Sequence, residues 1–482
     1  MKLKYPSLLR DQALFSGQWQ SSATGRTCEV RNPADQSLIG TVPELAAAEV
    51  SSAIEFAANA MTDWKKRPAG ERSRILRRWF DLMTTHADDL ASILTAEQGK
   101  PLAEAKAEIL YGASYVEWYA EEAKRVGGDI IPPPSSDRRI IVLKEPVGVC
   151  AAITPWNFPN AMITRKLAPA LAAGCAMLVK PAAQTPLSAL ALAALADEAG
   201  VPPGIVSVVT GPAAIVGGEL CRHPLVRKLT FTGSTATGKT LLRQCADTVK
   251  KVTMELGGNA PFMVFEDADL DAAVEGCLAS KFRNSGQTCV CANRIFVQKS
   301  VLEEFTDKLV HAVRNLVAGD GANPAVHQGP LIDAPALAKV ESFVADALAK
   351  GAHAACGGRR HPLGGTFYEP TVLIGCSAGM LVADDEIFGP VAPLFAFDSE
   401  EEVIRLSNAP NVGLAGYFFT RDLGRAWRVA SALECGMVGV NTGMISNAMA
   451  PFGGIKESGM GREGSKYGIE DYLTIKYICM AS

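Results

Sequence analysis

The sequence is poor in histidine, has no block of basic residues and contains no long apolar run. Its six histidines are scattered along 482 residues, so the pattern predicts no metal site. The net charge of −4 gives no indication of binding to nucleic acid or to an anionic membrane. The most apolar stretch, residues 167–179, is too short to span a bilayer. The first residues lack the apolar core and cleavage site of a signal peptide, and we therefore expect a cytoplasmic protein.

Cysteine is present, but not in the patterns that crosslink a chain or bind a metal. None of the twelve cysteines forms a CxxC pair, and the two that lie closest together are Cys289 and Cys291. This spacing argues against a disulfide framework and against a zinc ribbon. Most of these thiols are therefore predicted to be buried as small apolar side chains.

The apolar pattern changes along the chain. Residues 50–125 carry apolar side chains at the spacing of helices, whereas short β-branched runs alternate with helical patterns over residues 150–256 and again over residues 260–316. Such alternation is typical of βαβ units with a parallel sheet. The chain is long enough for about two or three domains. We predict an α/β protein with two such domains and the active site between them.

The segment from Gly233 to Thr240, GSTATGKT, matches the P-loop pattern GxxxxGK[ST] and follows a predicted strand. One hypothesis is therefore a nucleoside-triphosphate hydrolase. The same glycines would equally let a dinucleotide pyrophosphate approach the backbone at the start of a helix. A glycine-rich turn without a ligand is the third interpretation, and the rest of the chain has to decide among the three.

Six short segments place glycine, proline or one reactive side chain where predicted strands and helices end. They are 153–159, 233–240, 254–261, 282–294, 386–390 and 451–459. Together, and in this order, they resemble the motifs of the NAD(P)-dependent aldehyde dehydrogenase superfamily over residues 15–475. On this resemblance the P-loop match is a coincidence of Lys239 and Thr240.

The resemblance implies a Rossmann-type cofactor domain, an α/β catalytic domain and a small β flap for oligomerisation. The cofactor domain would comprise residues 1–128 and 149–256, the catalytic domain residues 257–450, and the flap and C-terminal segment residues 129–148 and 451–482. The tail YLTIKYICM is apolar and β-prone, so that it needs a partner strand. We expect a homo-oligomer, either a dimer or a tetramer.

The same resemblance implies a thiol mechanism. Cys289 would attack the aldehyde as a thiolate, and the Asn157 side chain with the Cys289 N–H would stabilise the oxyanion. Glu255 would then act as the base for a water that hydrolyses the thioester. Its presence favours hydrolysis over acyl transfer to coenzyme A. The three residues together also argue against a binding or structural protein that has merely kept this fold.

The cofactor is expected to be NADP, with NAD as the second choice. In the family, a lysine followed three residues later by glutamate favours NAD; this chain has Lys180 but Ala183 instead of the glutamate. A missing carboxylate leaves room for a 2′-phosphate. Other contacts with the dinucleotide are implied for several residues. These are Thr154, Trp156, Gly233, Ser234, Gly238, Glu386 and Phe388.

Two arginines, Arg165 and Arg283, occupy positions where many relatives carry apolar side chains around the substrate. They would bind a carboxylate on the aldehyde, or else form structural ion pairs with acidic residues of the protein. The chain resembles most the family members that oxidise succinate semialdehyde, and by that resemblance Ser446 and Phe452 would also line the substrate site. Glutarate semialdehyde is the alternative, since one methylene gives only about 1–3 kcal/mol of discrimination.

Cys291 admits two interpretations. It either packs in the strand after the nucleophile, or it forms a reversible disulfide with Cys289 under oxidation.

Overall fold

The computed structural model describes residues 1–481. The chain begins with four short strands, followed by four helices. These are β1 (Ala13–Phe15), β2 (Gln18–Gln20), β3 (Thr27–Arg31), β4 (Leu38–Pro43), α1 (Ala47–Trp64), α2 (Ala69–Thr85), α3 (Ala87–Gln98) and α4 (Leu102–Glu122). Helix α3 ends because Gly99 adopts a left-handed conformation with φ of 92°, which glycine reaches without a steric penalty. This turn directs the following Lys100 into the interior.

The alternating segment follows. Its elements are β5 (Asp129–Ile131), β6 (Arg138–Pro146), β7 (Val149–Ile153), α5 (Ala161–Ala173), β8 (Met177–Lys180), α6 (Leu187–Glu198), β9 (Val206–Val208), α7 (Ala213–Arg222), β10 (Val226–Thr232), α8 (Thr235–Cys245) and β11 (Lys251–Glu255). Strands β9, β8, β7, β10 and β11 are parallel neighbours in that order. The order reverses between β7 and β10, which is where doubly wound sheets bind their ligands.

A second series builds the other half. Its elements are β12 (Ala260–Val264), α9 (Leu270–Lys281), β13 (Ala292–Gln298), α10 (Leu302–Arg314), α11 (Ala334–Ala349), β14 (His353–Cys356), β15 (Thr371–Ile374), α12 (Leu381–Asp384), β16 (Val391–Phe397), α13 (Glu400–Asn408), β17 (Val412–Gly413), β18 (Ala415–Phe419), α14 (Leu423–Ala432), β19 (Met437–Val440), β20 (Ile455–Lys456), β21 (Gly459–Met460) and β22 (Leu473–Ala481). Seven of these strands form one sheet in the order β14-β15-β16-β13-β12-β18-β19. All neighbours in it are parallel except the edge pair of β14 and β15.

The C-terminal strand β22 pairs along its whole length with β6, which in turn pairs with β5. The tail was predicted to require a partner strand, and β6 of the same chain is that strand. The other edge of β22 stays open, and Ile475 and Tyr477 are exposed there. The last 32 residues are not all part of this flap, because β21 joins β11 at the edge of the first sheet.

The predicted α/β alternation is confirmed, and both sheets are covered by helices. Their buried side chains form one large apolar cluster around the first sheet and two around the second. The domain boundaries themselves remain a prediction. Among residues 1–481, no helix has both the length and the hydropathy needed to cross a membrane.

Candidate active site

A cleft lies between the two sheets, at the carboxyl ends of β7, β10 and β11. It encloses about 390 Å³ and brings together the three predicted catalytic residues and five of the residues predicted to contact the dinucleotide, whereas the predicted substrate residues do not line it. Those that line it are Trp156, Asn157, Gly233, Ser234, Glu255, Cys289, Glu386 and Phe388. The strand register explains the meeting point, since Thr232 aligns with Glu255 on the neighbouring strand and the carboxyl ends of parallel strands share one edge.

Cys289 lies on the loop between α9 and β13, with its thiol at the floor of the cleft. Burial raises the pKa of this thiol to about 12, and the Glu386 carboxylate adds to the increase. The positive charges of Arg165 and Arg283 act in the opposite direction. The thiol is therefore neutral at pH 7 in the ligand-free site and becomes nucleophilic only when its proton is removed.

Asn157 lies in the turn after β7 and points its carboxamide at the loop that carries the thiol. Its Nδ2 donates to the Gln287 carbonyl over 2.9 Å, which leaves the second N–H of that amide available to a ligand. The Asn157 main-chain carbonyl accepts from Lys100 Nζ at 2.7 Å. Lys100 is buried beside Glu108, so an ion pair in the interior supports this turn.

Glu255 ends β11 with its carboxyl buried in the cleft. Burial, and then the charge of Glu463, raise its pKa well above the usual range. The Oε2 atom has no hydrogen-bond partner among the described residues. A Cβ on Gly453 would lie 2.9 Å from Glu255 Oε1, so glycine is needed there for the close approach of the backbone. Its raised pKa makes this carboxylate easier to protonate than an exposed glutamate, and its unpaired Oε2 is available to exchange a proton with a ligand.

Arg165 is fully buried and already has an acidic partner. Its Nη2 lies 2.7 Å from Glu463 Oε2, and Lys166 contacts the same carboxylate. Burial acts to raise the pKa of Glu463, but Lys166 and Arg165 hold it below its usual value. The ring of Phe452 lies 3.9 Å from the Arg165 guanidinium carbon. Sequence reasoning missed Glu463 and Lys166, although Lys166 adjoins Arg165 and Glu463 closely follows the glycine-rich segment 451–459.

Arg283 differs from Arg165 in having no carboxylate within ion-pair distance among residues 1–481. Its Nη1 contacts Met444 Sδ at 3.7 Å, on the loop that also carries the half-buried Ser446. Its Nε is buried without a hydrogen-bond partner. Arg165 Nε also lacks a hydrogen-bond partner, so what sets Arg283 apart is that no carboxylate of the described residues lies within ion-pair distance, which leaves this arginine available to bind an anion.

A second cavity of about 550 Å³ continues from the cleft across the first sheet. Thr154, Lys180, Ala183 and Ser234 line it, and the two cavities share the wall formed by Trp156 and residues 232–234. Burial lowers the pKa of Lys180 to about 8. Ser234 is the N-cap of α8, where N–H groups favour a phosphate. The joined cavities, with a cation and a helix N-terminus, fit a dinucleotide.

Gly238 does not line either cavity. A Cβ at this position would lie 2.5 Å from a methyl carbon of Leu256, so the glycine permits close packing of α8 on the strand below it. This is the third role of glycine in dinucleotide-binding motifs, and it differs from the direct contact with cofactor that was expected.

The residues that completed the P-loop pattern face away from a phosphate. Lys239 Nζ forms an ion pair with Glu457 at 2.8 Å, and the Thr240 hydroxyl donates to the Ala236 carbonyl within the helix. A P-loop needs both side chains at the phosphates and the magnesium ion. The geometry therefore argues against a triphosphate hydrolase.

Glu386 and Phe388 form the wall of the cleft opposite the first sheet. Burial raises the pKa of Glu386 to about 7, and its Oε1 accepts from the Gly258 N–H at 3.2 Å. Phe388 is left-handed, with φ of 57°, and packs edge-on against Trp156 with ring centroids 5.6 Å apart. The aromatic pair bridges the two halves of the molecule.

Cys291 is buried beside Lys281, whose Nζ lies 3.6 Å from its sulfur. Burial raises the pKa of the Cys291 thiol as well. Its role in oxidation stays a prediction. Among residues 1–481, no group of three or more histidine, cysteine or acidic side chains is arranged to hold a metal ion.

Comparison with known proteins agrees with this geometry. The model of the "Aldehyde dehydrogenase family" matches residues 19–478. The chain is 61% identical to a glutarate-semialdehyde dehydrogenase of Pseudomonas aeruginosa, over 100% of this chain and 99% of the relative. It is 59% identical to the NADP(+) succinate-semialdehyde dehydrogenase of Escherichia coli, over 100% of both chains.

A solved structure extends the comparison to the fold. The succinate-semialdehyde dehydrogenase from Burkholderia pseudomallei superposes with a TM-score of 0.99 at 60% identity, again over 100% of both chains. The predicted fold class is therefore confirmed.

Proposed function

This chain belongs to the aldehyde dehydrogenase family and is an NAD(P)-dependent oxidoreductase, and we propose that it oxidises succinate semialdehyde to succinate. The observation that carries the choice of substrate is Arg283, a guanidinium without an acidic partner six residues before Cys289 on the same loop. An aldehyde that bears its own carboxylate would supply the missing partner.

The first step takes place at Cys289. The thiolate sulfur adds to the aldehyde carbon, and the carbonyl oxygen becomes an oxyanion. The free N–H of the Asn157 amide and the Cys289 main-chain N–H are the donors that would hold this oxygen. NADP or NAD, held in the second cavity, would supply the acceptor for the hydride that leaves the carbon, and Cys289 would then carry a thioester.

The second step needs a base and a water. Glu255 lies in the same cleft as Cys289, and its raised pKa makes its carboxylate a stronger base than that of an exposed glutamate. It would accept a proton from water as the oxygen adds to the thioester carbon. The C–S bond then breaks, and the acid and the Cys289 thiol are released.

The two arginines would have different tasks at the substrate. Arg165 forms an ion pair with Glu463 at 2.7 Å, and Lys166 shares that carboxylate; this is the structural ion pair that the sequence left as an alternative. Arg283 keeps its charge for the substrate carboxylate, with Ser446 as a further donor. Phe452 would form the apolar wall, since it packs on Arg165.

NADP is proposed as the preferred cofactor, because Ala183 leaves space in the second cavity beside Lys180. Glutarate semialdehyde remains the second candidate substrate, and a close relative bears that name. One additional methylene would be accommodated at a cost of about 1–3 kcal/mol.

The test is a panel of aldehydes, each supplied with NADP or NAD. The formation of reduced cofactor is followed by its absorbance. We expect the highest kcat/KM for succinate semialdehyde with NADP, a lower value for glutarate semialdehyde, and a value at least tenfold lower for butanal, which has the same length but no charge. Cys289→Ala serves as the inactive control. A kcat/KM for butanal that equals the value for succinate semialdehyde would refute the proposed substrate class.

We also propose that the protein is a homo-oligomer. The open edge of β22 and its exposed Ile475, Tyr477 and Met480 are surfaces that proteins normally cover. Sedimentation of the native chain and of a Tyr477→Lys variant would distinguish a dimer from a tetramer and show whether this edge is the contact. The cytoplasmic location stays a prediction from composition.

A further inference from the structure

The loop before the thiol contains three consecutive residues in the left-handed region. Asn284 has φ of 52°, Ser285 has φ of 56° and Gly286 has φ of 72°. Left-handed backbone is unfavourable for residues with a Cβ and persists only where the surroundings impose it. Such strain concentrates at functional sites, so the groups that impose it here are of interest.

The surroundings hold this loop from several sides. Glu104 Oε2 accepts the Asn284 N–H at 2.8 Å, and the Ser285 hydroxyl donates to the Gly329 carbonyl at 2.9 Å. A Cβ on Gly286 would collide with the Gly389 carbonyl. The left-handed run is thus fixed by contacts with distant parts of the chain.

The Asn284 side chain is buried, with 1% of its surface exposed, and uses both ends of its carboxamide. Its Nδ2 donates to the Asn157 carbonyl at 3.0 Å and to the Gln287 carbonyl at 3.2 Å. Its Oδ1 accepts from Gln98 Nε2 at 2.9 Å. It therefore joins the turn of the proposed oxyanion donor to the loop of the proposed nucleophile.

The orientation of this amide follows from its neighbours. The Lys100 main-chain N–H can only donate, and it donates to Gln98 Oε1 at 3.0 Å. The other end of the Gln98 amide is then a donor, so the atom of Asn284 that it meets is an acceptor. At the other end of the Asn284 amide, the main-chain carbonyls of Asn157 and Gln287 can only accept, so the atom that faces them is the Nδ2 donor. Both ends therefore give the same orientation of the amide.

The Gln287 carbonyl is the point where the network reaches the site. It accepts from Asn284 Nδ2 and also from Asn157 Nδ2 at 2.9 Å. Only one of the two Asn157 amide hydrogens is used in this way. The direction of the other hydrogen depends on where the Gln287 carbonyl is held, two residues before Cys289.

We propose that Asn284 is a positioning residue: its buried carboxamide fixes the Gln287 carbonyl and, through it, the Asn157 amide that would face the oxyanion on Cys289. The inference rests on the proposed function, since it assigns Asn284 a task only if Asn157 is the oxyanion donor. A displacement of such a donor by about 1 Å can lower a rate about 100-fold.

The first test is Asn284→Asp, which keeps the size of the side chain but places an oxygen against two carbonyls. We expect kcat to fall at least tenfold while the KM for NADP changes less than threefold, because the cofactor cavity is untouched. The rate of the first turnover, followed as reduced cofactor in stopped flow, should fall with kcat. An unchanged kcat in the folded variant overturns the proposal.

Asn408→Asp is the matched control. This half-buried amide also donates to a main-chain carbonyl, that of Ala432 at 2.8 Å, and accepts a main-chain N–H, that of Glu434 at 2.8 Å. It lies outside both cavities of the site, and we expect its substitution to leave kcat within twofold. A loss in Asn408→Asp as large as in Asn284→Asp would mean that any buried amide matters equally, and would overturn the specific role.

The decisive experiment combines Asn284→Asp with Asn157→Ala. If Asn284 acts through Asn157, then Asn284→Asp should lower kcat less than threefold when it is introduced into the Asn157→Ala variant. If Asn157→Ala lowers kcat strongly and Asn284→Asp lowers it further by its full factor in the double variant, the positioning role of Asn284 is overturned while the role of Asn157 stands. A normal kcat in Asn157→Ala overturns the proposed role of Asn157, and with it the inference.

Gln98→Glu provides a second variant should Asn284→Asp fail to fold. It keeps the acceptor for the Lys100 N–H but removes the donor to Asn284 Oδ1. We expect a fall in kcat of at least threefold, again with the KM for NADP unchanged. A kcat equal to that of the parent protein, in a variant with the same thermal midpoint, would overturn the proposal.

Discussion

The carboxylate of Glu463 lies 2.7 Å from the guanidinium of Arg165, with both side chains buried. This pair borders Glu255, because the charge of Glu463 raises the pKa of Glu255 and the charge of Arg165 lowers it. The pKa of the proposed base, which burial raises most, therefore also depends on an ion pair that does not itself line the cleft around Cys289.

The first prediction concerns Glu463→Gln. The substitution removes a negative charge and leaves Arg165 and Lys166 to act on Glu255, so the pKa of Glu255 should fall. A base with a lower pKa is ionised at lower pH, and the rising limb of the kcat profile should move to lower pH by the same amount. Glu463→Asp keeps the charge and is the control. A rising limb that stays in place would contradict the assignment.

The same substitution should also lower stability. Removal of one partner from a buried ion pair leaves an uncompensated charge and costs about 3–5 kcal/mol. Chemical denaturation of Glu463→Gln and Glu463→Asp would measure the difference in free energy of unfolding.

The second prediction separates the two arginines. Arg283→Met should lower kcat/KM for succinate semialdehyde about 100-fold, since a hydrogen bond to a charged group contributes about 1.5–3 kcal/mol, while the value for butanal should change less than threefold. Arg165→Met should lower both values and the stability, because it removes one of the two cations that pair with the buried Glu463 carboxylate. Equal losses on the two aldehydes in Arg283→Met would contradict a carboxylate site at Arg283.

These arginines also show how far the sequence could be interpreted. The helices and strands of the first sheet and the first elements of the second followed from local apolar spacing, and the roles expected for Asn157, Glu255 and Cys289 followed from the resemblance of their segments to the family's motifs. The partner of Arg165 did not follow, since Glu463 lies 297 residues from the neighbouring Lys166 and no local pattern encodes that contact. The sequence therefore could not show that the charge of Arg165 is paired within the protein, because the position of Glu463 depends on the tertiary fold.

The roles of two other residues, Gly238 and Asn284, could not be predicted from the sequence for related reasons. Gly238 was taken for a contact with cofactor, whereas its missing Cβ makes room for Leu256, which depends on how α8 meets the sheet. No role was predicted for Asn284, and only the fold brings Gln98 and Asn157 to its side chain. Packing distances and long-range hydrogen bonds are properties of the tertiary structure.

The third prediction concerns cofactor choice. Ala183→Glu would place a carboxylate in the cavity that contains Lys180, where it would repel a 2′-phosphate and accept ribose hydroxyls. We expect the ratio of kcat/KM for NADP to that for NAD to fall at least tenfold. The exposed Ala107, on α4, gives a control substitution of the same type, Ala107→Glu. A ratio that does not change would show that the 2′-phosphate is recognised elsewhere.

The fourth prediction is a pH dependence of NADP binding. Burial lowers the pKa of Lys180 to about 8, so its positive charge is present below that pH and is lost as the pH rises through it. The Kd for NADP, measured by fluorescence titration, should therefore increase above about pH 8. In Lys180→Met the Kd should be higher than in the parent below pH 8, and its increase above pH 8 should be absent. Parallel curves for both proteins would exclude Lys180 as the titrating group.

The fifth prediction concerns oxidation of Cys289. Peroxide would convert its thiolate to a sulfenic acid with release of water, and the Cys291 thiol could then displace a second water to form a disulfide. Because burial raises the pKa of the Cys289 thiol to about 12, the thiolate fraction and the rate of inactivation should increase with pH across the neutral range. Dithiothreitol should restore activity in the parent protein.

Cys291→Ala provides the comparison that decides this prediction. Without a second thiol, the sulfenic acid should proceed to forms that dithiothreitol does not reduce, so activity should be lost permanently at the same initial rate. The Cys291 sulfur contacts the Gly286 carbonyl and Lys281 Nζ, and it would have to leave both to reach Cys289. Loss that is equally irreversible in the two proteins would show that these contacts keep Cys291 in place, and that it serves only in packing.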